Sequence, residues 1–194
     1  MTTIYLGLVH HPILNKRGAV GTTSVTNLDI HDIARASKTF GIKKYFIITP
    51  LVPQHELVSK ILGHWESEEG AIYNPDRQEA LSVAQLSFSV QQAQETIHQL
   101  EQREPLLVVT GANFKECHGN EIDLLTLSHK LDKRPIFLLF GTGWGLAQEI
   151  TQVADFKLAP INGSGHYNHL SVRSAVSIYC DRLNQAQIKL RGSL

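Results

Sequence analysis

The chain has 194 residues, of which 42% are hydrophobic and 19% charged, so it is long and apolar enough for one globular domain with a sizeable core. Lysine plus arginine and aspartate plus glutamate both total 18, which excludes a global basic field for nucleic acid and leaves only a local basic patch for that role. No apolar run approaches the ~20 residues of a membrane span.

The N-terminus and the cysteines indicate a cellular compartment. The sequence "MTTIYLGLVHHP" has neither the basic segment nor the long apolar stretch of a signal peptide. Cys117 and Cys180 have no metal-ligand spacing, and nothing in the chain suggests a secreted disulfide framework. We therefore expect a cytoplasmic protein that does not contact a membrane.

Short apolar runs alternate with helical segments along the chain. Strands are predicted at 4–9, 44–49, 106–110, 136–140 and 156–161, with a weaker one near 83–90. Helices are predicted at 27–40, 53–66, 91–103, 121–131, 144–154 and 168–185, and the polar segment 67–81 is predicted to be a surface loop. The apolar runs are nearly continuous, which is typical of strands buried on both faces. We predict an α/β fold with a mostly parallel sheet, helices on both faces and a single domain over 1–194.

The first predicted helix lies in "TNLDIHDIARASKTFGI", residues 26–42. Thr26 and Asp29 have the spacing of a capping box. Helical spacing predicts a core face of Ile30, Ile33, Ala34 and Ser37 and an opposite stripe of Leu28, Asp32, Arg35 and Thr39. Asp32 and Arg35 are either a solvated ion pair of the helix surface or part of a site.

The segment "FLLFGTGWGLAQEI", residues 137–150, reads as a strand, a glycine-rich turn and a helix. This arrangement suits a nucleotide-like ligand. Gly141, Gly143 and Gly145 do not match the dinucleotide fingerprint, because Leu146 occupies the third glycine position, and no Lys-Ser/Thr follows to make a P-loop. The turn is either a ligand loop or a tight turn without a ligand.

The last helix follows a Gly/Ser/Asn loop in "NGSGHYNHLSVRSAVSIYCDRL", residues 162–183, and Asn168 is its predicted N-cap. The predicted core face excludes Arg173 and Ser177 and consists of Val172, Ala175, Val176, Tyr179 and Leu183. The small residues of "SVRSAV" permit close helix packing, either in the core or across a dimer interface.

These three stretches, in this order, resemble the three motifs of the SPOUT class of S-adenosylmethionine-dependent RNA methyltransferases, in its SpoU branch. "NLDIHDIARA" followed by "FGI" is similar to the first motif, "LLFGTGWGL" to the second and "NHLSVRSAV" to the third. Nearly the whole chain resembles a bacterial single-domain SPOUT family with "LVHHPI", "TNLDIHDIAR", "GTGWGL" and "NHLSVRSA" as hallmarks, some of whose relatives look fused to tRNA guanine-N1 methyltransferases.

The resemblance implies a fold, a cofactor and an assembly. SPOUT folds thread the C-terminal helix through a loop to form a trefoil knot, an exception to the rule against knots. S-adenosylmethionine binds in that knot, held largely by backbone groups, and the active site is shared across a homodimer. The matching cofactor-binding positions here are Thr110, Gly111, Ala112, Gly141, Thr142, Gly143, Trp144, Pro160, Ile161, Asn162 and Leu170. We expect Gly143→Val to abolish binding by filling the space of the ligand.

Arg35 matches the arginine of the first motif, and the resemblance implies that it orients a phosphate or the nucleophile. Asp32 is the nearest carboxylate, while Asn168 and His169 lie beside the cofactor loop as further catalytic candidates. The chain departs from SpoU proteins where Thr142, Gly143 and Trp144 replace the segment with the second-motif glutamate, and where Ser171 and Arg173 stand in the third motif. His166 and His169 lack a third metal ligand, so no metal is expected.

Three functions remain open at this level. The first is methyl transfer from S-adenosylmethionine to an RNA, a tRNA or an rRNA. The second is a knotted protein that binds RNA or S-adenosylmethionine without catalysis, in keeping with the missing glutamate and the neutral charge. The third is a nucleotide-dependent oxidoreductase, which the failed dinucleotide fingerprint disfavours.

Overall fold

The structure, a computed structural model, describes residues 1–192, apart from the side chain of residue 71. The strands are β1 Ile4–Val9, β2 Ile13–Leu14, β3 Val20–Gly21, β4 Tyr45–Ile48, β5 Ala84–Ser87, β6 Leu106–Val109, β7 Ile136–Gly141 and β8 Phe156–Lys157. The helices are α1 Asn27–Thr39, α2 Val52–Glu66, α3 Glu68–Tyr73, α4 Pro75–Leu81, α5 Val90–Glu101, α6 Glu121–Lys130, α7 Gln148–Val153 and α8 Val172–Gly192.

Six strands form one sheet in the order β5-β4-β1-β7-β6-β8, and every pairing in it is parallel. Alternate side chains of a strand point to opposite faces, so each strand contributes to two cores. One core contains residues of α1, α2, α4, α6 and α8, and the other contains residues of α5 and α7. The prediction of a mostly parallel sheet with helices on both faces is confirmed.

Helix α1 forms as its sequence predicts. The Thr26 side chain accepts a hydrogen bond from the Asp29 backbone N–H, and the Thr26 hydroxyl donates to the Asp29 carboxylate. Ile30, Ile33, Ala34 and Ser37 are buried, as the helical spacing predicts. The opposite stripe of Leu28, Asp32, Arg35 and Thr39 is exposed.

The prediction of a surface loop over 67–81 is wrong, because two short helices, α3 and α4, occupy it. The Ser67 side chain caps α3 by accepting from the Gly70 N–H, and Asn74 caps α4 by accepting from the Arg77 N–H. Pro75 begins α4, where its missing N–H leaves no helical bond unmade. Helices of this length bury too few positions to show a period, so the caps are their clearest sequence signal.

Two predicted elements near the glycine turn are shorter than expected. The helix predicted at 144–154 spans only Gln148–Val153, because residues before it bond the loop after β1, with Ala147 donating to the Pro12 carbonyl at 3.2 Å. The strand predicted at 156–161 is reduced to Phe156–Lys157. Beyond β8 the backbone departs from the ladder, since the Ala159 N–H donates to the Gly119 carbonyl at 2.8 Å.

The last helix begins four residues later than predicted and extends to Gly192, and Asn168 is not its N-cap. The Asn168 amide instead closes the preceding loop, donating to the Ile161 carbonyl at 2.9 Å and accepting from the Gly163 N–H at 3.2 Å. Ser171 takes the capping role, accepting from the Ser174 N–H at 3.2 Å. Within residues 1–192, neither this helix nor any other is long and apolar enough to cross a membrane.

Candidate active site

The parallel sheet gathers three of the sequence-predicted loops at one edge. Because all six strands run the same way, their carboxyl ends meet there, which is where α/β sheets bind ligands. Strands β7, β6 and β8 are neighbours, so the loops that follow them lie side by side. The predicted cofactor-binding residues 110–112, 141–144 and 160–162 belong to these loops.

The glycine turn after β7 is fixed by the β2–β3 hairpin. The Trp144 N–H donates to the Leu14 carbonyl at 3.0 Å, and the Leu14 N–H donates to the Gly145 carbonyl at 2.8 Å. Gly143 has a φ of 59°, in the left-handed region that glycine occupies without strain. A Cβ on Gly141 would lie 2.5 Å from the Leu146 nitrogen, so only glycine fits there.

The expected reason for a Gly143→Val defect is therefore wrong. A Cβ on Gly143 would point toward the hairpin, 3.1 Å from both the Ile13 Cδ1 and the Leu14 carbonyl oxygen. It would not enter open space for a ligand. Valine there would strain the turn and push the hairpin away, so any loss of binding would come from the distorted backbone.

A partly buried chain of hydrogen bonds supports the turn from the side of β1. The Thr142 hydroxyl donates to the Val9 carbonyl at 3.0 Å, which uses its only proton, so the Thr23 hydroxyl must donate to Thr142. His10 is fully buried, and its Nδ1 must then donate to Thr23, 3.1 Å away. The His10 Nε2 is buried and unpaired. Burial lowers the pKa of His10 to about 4, so the ring stays neutral in this tautomer at neutral pH.

The loop after β6 offers backbone donors. The Thr110 hydroxyl is buried and donates to the Leu139 carbonyl at 3.0 Å, which ties this loop to β7. The backbone N–H groups of Gly111 and Gly143 donate to no other residue within 1–192. Free backbone donors on adjacent loops are what a backbone-held ligand requires.

The loop between β8 and α8 is the third side of this edge. It is attached to its neighbours by the Leu158 N–H, which donates to the Val109 carbonyl at 3.0 Å. Pro160 and Ile161 are half-buried, whereas Asn162 and Leu170 are exposed. His169 is exposed and packs edge-on against Tyr167, with ring centroids 5.3 Å apart. Among residues 1–192, no group of three side chains is arranged to hold a metal ion.

Arg173 of α8 forms ion pairs with the two aspartates of the first motif. Its guanidinium donates to the Asp29 carboxylate at 3.0 Å and lies 3.3 Å from the Asp32 carboxylate. Asp32 is therefore engaged by α8, and Arg35 is exposed on the same face of α1 without an ion pair among the described residues. Sequence reasoning missed this role of Arg173; its only signal was a charged residue in place of a third-motif serine.

The chain matches a protein family described as SAM-dependent RNA methyltransferase over residues 3–185. The chain belongs to this family. Among curated relatives, this RNA methyltransferase family member is 41% identical over 180 residues to a tRNA (guanine-N(1)-)-methyltransferase of Nitratidesulfovibrio vulgaris, covering 93% of this chain and 41% of that protein. It is also 36% identical over 182 residues to an uncharacterized protein of Aquifex aeolicus, covering 93% of this chain and 87% of that one.

Solved structures share the fold. The SpoU methyltransferase AviRb from Streptomyces viridochromogenes, in complex with the cofactor AdoMet, superposes with a TM-score of 0.61 at 12% identity, over 96% of this chain and 58% of that chain. A putative methylase family protein from Neisseria gonorrhoeae gives a TM-score of 0.62 at 18% identity, over 94% of this chain and 82% of that chain. This member of the family therefore has the α/β architecture of SpoU methyltransferases, as its motifs predict.

Proposed function

We propose that this protein transfers the methyl group of S-adenosylmethionine to an RNA, a tRNA or an rRNA, at the carboxyl edge of its sheet. The observation that carries the proposal is the convergence of three loops there, after β6, β7 and β8, with free backbone N–H groups at Gly111 and Gly143. The family match supplies the cofactor and the kind of acceptor. Bound S-adenosylmethionine supplies an electrophilic sulfonium methyl.

The cofactor-binding residues of the proposal are those of the three loops. Gly111 and Gly143 offer backbone donors, and the bonds of Thr110 and Thr142 to β7 and β1 fix the two loops relative to each other. Ile161 and Leu170 supply apolar surface beside them. The remaining positions of the predicted set are Ala112, Gly141, Trp144, Pro160 and Asn162.

Arg35 is the residue that we propose orients the acceptor. Its guanidinium is exposed and unpaired among the described residues, so its planar fork is available for a phosphate or a nucleophile. Asp32 is held by Arg173 and acts beside it as a fixed negative charge. We keep His169, which is exposed, as the candidate base, and Asn168 as the residue that closes the loop beside it.

We further propose that the chain is a single domain whose C-terminal segment forms a trefoil knot. The support is the path of the chain: after β8 it bonds Val109 and Gly119, and α8 then returns to pack on β7, α1 and α6. The Tyr179 hydroxyl donates to the Ala159 carbonyl at 2.9 Å and ties α8 to the segment before it.

We also propose a cytoplasmic homodimer. The small exposed side chains Ser174 and Ser177 of α8 and the exposed stripe of α1 lie on two helices that pack against each other, and they suit close approach of a second copy. The dimeric habit of SPOUT proteins supports the same assembly. Both cysteines are free thiols, in keeping with a reducing compartment.

The chain spans only 41% of the length of the tRNA (guanine-N(1)-)-methyltransferases that it matches. The guanine-N1 activity is therefore assigned to those longer proteins and not to this chain. The absence of a second-motif glutamate in "GTGWGL" favours one alternative, a protein that binds RNA or S-adenosylmethionine without catalysis.

A transfer assay separates the two. The purified protein is incubated with methyl-tritiated S-adenosylmethionine and unfractionated RNA from cells that lack the gene, and nucleosides are analysed by mass spectrometry. The proposal predicts label in one RNA class and one modified nucleoside that is missing from those cells. S-adenosylmethionine binding without any label in RNA would favour the non-catalytic alternative, and calorimetric binding of NAD in place of S-adenosylmethionine would favour the oxidoreductase.

A further inference from the structure

A cleft between α1, α2 and α4 lies outside the three cofactor loops. Its volume is about 550 Å³, within the range of about 300–1,000 Å³ that is usual for ligand sites. Arg35 of α1, Lys60 of α2 and Arg77 of α4 all line it. The cleft exists because α4 packs on α1, which in turn depends on the helices that replace the expected loop over 67–81.

The cleft is positively charged in a chain with no net charge. Two histidines, His31 and His64, line it in addition to the three cations, and its one carboxylate is Asp32, which Arg173 engages. Outside the cleft some cations, such as Lys130, are exposed without an ion pair among the described residues, whereas Lys38, Lys43, Arg134, Arg173 and Arg182 are in ion pairs with carboxylates. Within residues 1–192 the three cations of the cleft are in none.

Trp65 fixes one of these cations in place. The Arg77 guanidinium lies over the Trp65 ring, 4.7 Å from its centroid, and the ring itself is buried. A cation–π contact orients the guanidinium without occupying its N–H donors. The His31 ring packs edge-on against Trp65 at 6.0 Å, and its buried Nδ1 has no partner. Burial lowers the pKa of His31, and the nearby Arg77 and Arg35 guanidiniums lower it further.

We propose that this cleft binds the phosphodiester backbone of the acceptor RNA. Lys60 and Arg77 bind phosphates close to the acceptor nucleotide that Arg35 orients. Unpaired cations on three separate helices match a spaced polyanion better than a single small anion. The inference rests on the proposed function, because it assigns the substrate path of that same enzyme. Lys60 and Arg77 are binding residues in it and take no part in the chemical step.

The test uses the full chain without any tryptophan substitution, because Trp144 belongs to the proposed cofactor-binding set. The probe is end-labelled, unfractionated tRNA from cells lacking the gene, and its fluorescence anisotropy is followed at several salt concentrations. RNA binding is expected to raise the anisotropy. Lys60→Gln and Arg77→Gln should each reduce the slope of log affinity against log salt by roughly 0.7 to 0.9, the value of one phosphate contact. They should raise the KM for RNA several-fold and leave S-adenosylmethionine affinity unchanged.

Lys130→Gln is the matched control, since Lys130 is exposed on α6, which does not line the cleft. Lys60 is also exposed, so its variant keeps the test valid if Arg77→Gln, which uncovers Trp65, unfolds. If Lys60→Gln and Lys130→Gln have the same KM for RNA and the same salt dependence of RNA binding, this inference is overturned and the proposed function stands. Absence of RNA binding and methylation by the parent protein would overturn the proposed function as well. Adenosine monophosphate that displaces the labelled tRNA at the same phosphate concentration, with S-adenosylmethionine saturating its own site, would overturn the assignment to RNA.

Discussion

Arg173 of α8 donates to the carboxylate of Asp29 in α1 across 3.0 Å, and the two residues are 144 positions apart in the chain. Asp29 is buried and also accepts from the Thr26 hydroxyl, so its carboxylate is satisfied from both sides. The pair joins the first and third motifs, and it holds Asp32 through the same guanidinium. The pair thereby holds the N-terminus of α1, capped by Thr26, against the start of α8.

Removing this pair should destabilise the fold more than removing a longer and less buried pair of the same helix. Arg173→Met leaves the buried Asp29 carboxylate without its cation, and we expect a loss of roughly 2–3 kcal/mol in the free energy of unfolding. Arg182→Met is the matched control, because Arg182 pairs with Glu121 at a longer 3.8 Å, and it should cost below about 1 kcal/mol. Urea unfolding measures the loss of stability in both variants. Equal losses would mean that the Arg173–Asp29 pair stabilises the fold no more than the Arg182–Glu121 pair does.

Replacing Arg35 should impair turnover without affecting the cofactor. If Arg35 positions the acceptor, Arg35→Ala should lower turnover by roughly a hundredfold, and Arg35→Lys should restore little, because an ammonium lacks the planar fork. The affinity for S-adenosylmethionine should barely change. Lys38→Ala, on the same helix and paired with Glu79, should leave turnover intact. Full activity of Arg35→Ala would show that the first motif serves as a helix cap and does not position the acceptor.

The buried His10 should make the fold acid-sensitive. Its pKa is about 4 in the folded protein and near 6.5 when unfolded, so the unfolded chain binds more protons between these values. Stability is therefore full above pH 6.5 and falls as the pH drops toward 4, by about 3 kcal/mol at most, since one pKa unit corresponds to about 1.4 kcal/mol. Urea unfolding at pH 7 and pH 4.5 measures the loss.

His10→Asn is the variant that isolates this effect. The asparagine amide keeps a donor for Thr23 but does not titrate, whereas His31, whose pKa is also lowered, is retained in both proteins. The loss of stability from pH 7 to pH 4.5 should be smaller in the variant than in the parent protein. The same loss in both would exclude His10 as the cause.

The protein should sediment as a dimer at tens of micromolar, a range where ordinary interface affinities favour association. Ser177→Arg, on the exposed face of α8, should shift the sedimentation to the monomer without changing the helical content. A parent protein that remains monomeric at this concentration would contradict the dimer.

Much of the fold could be predicted from sequence because its strands are continuous apolar runs and its long helices show a clear period. The helix predicted at 27–40 lies at Asn27–Thr39, with the expected face buried. The short helices α3 and α4 were not predicted, because their sequence signal lies in the capping residues and not in a helical periodicity of apolar residues. The β2–β3 hairpin, with two residues in each strand, is too short for alternation to show and depends on its bonds to the glycine turn.

The candidate site was harder to predict, because its features depend on distant contacts. The three loops could be anticipated, since parallel strands place their carboxyl ends together. The direction of the Gly143 Cβ toward the hairpin could not, because it depends on Ile13 and Leu14. The charged cleft could not be predicted either, because Arg35 and Arg77 belong to separate helices and the segment that contains Arg77 was expected to be a loop.

The most direct measurement is a titration of the isotope-labelled protein with S-adenosylmethionine, followed through the backbone amide resonances by NMR. The proposed site is made largely of backbone groups, so these resonances report on it without any mutation. We expect saturable shifts at micromolar cofactor, concentrated at Gly111, Ala112, Gly141–Gly145, Ile161, Asn162 and Leu170. Resonances that do not move, or shifts concentrated on α5, which lies outside the three loops, would contradict the proposed site.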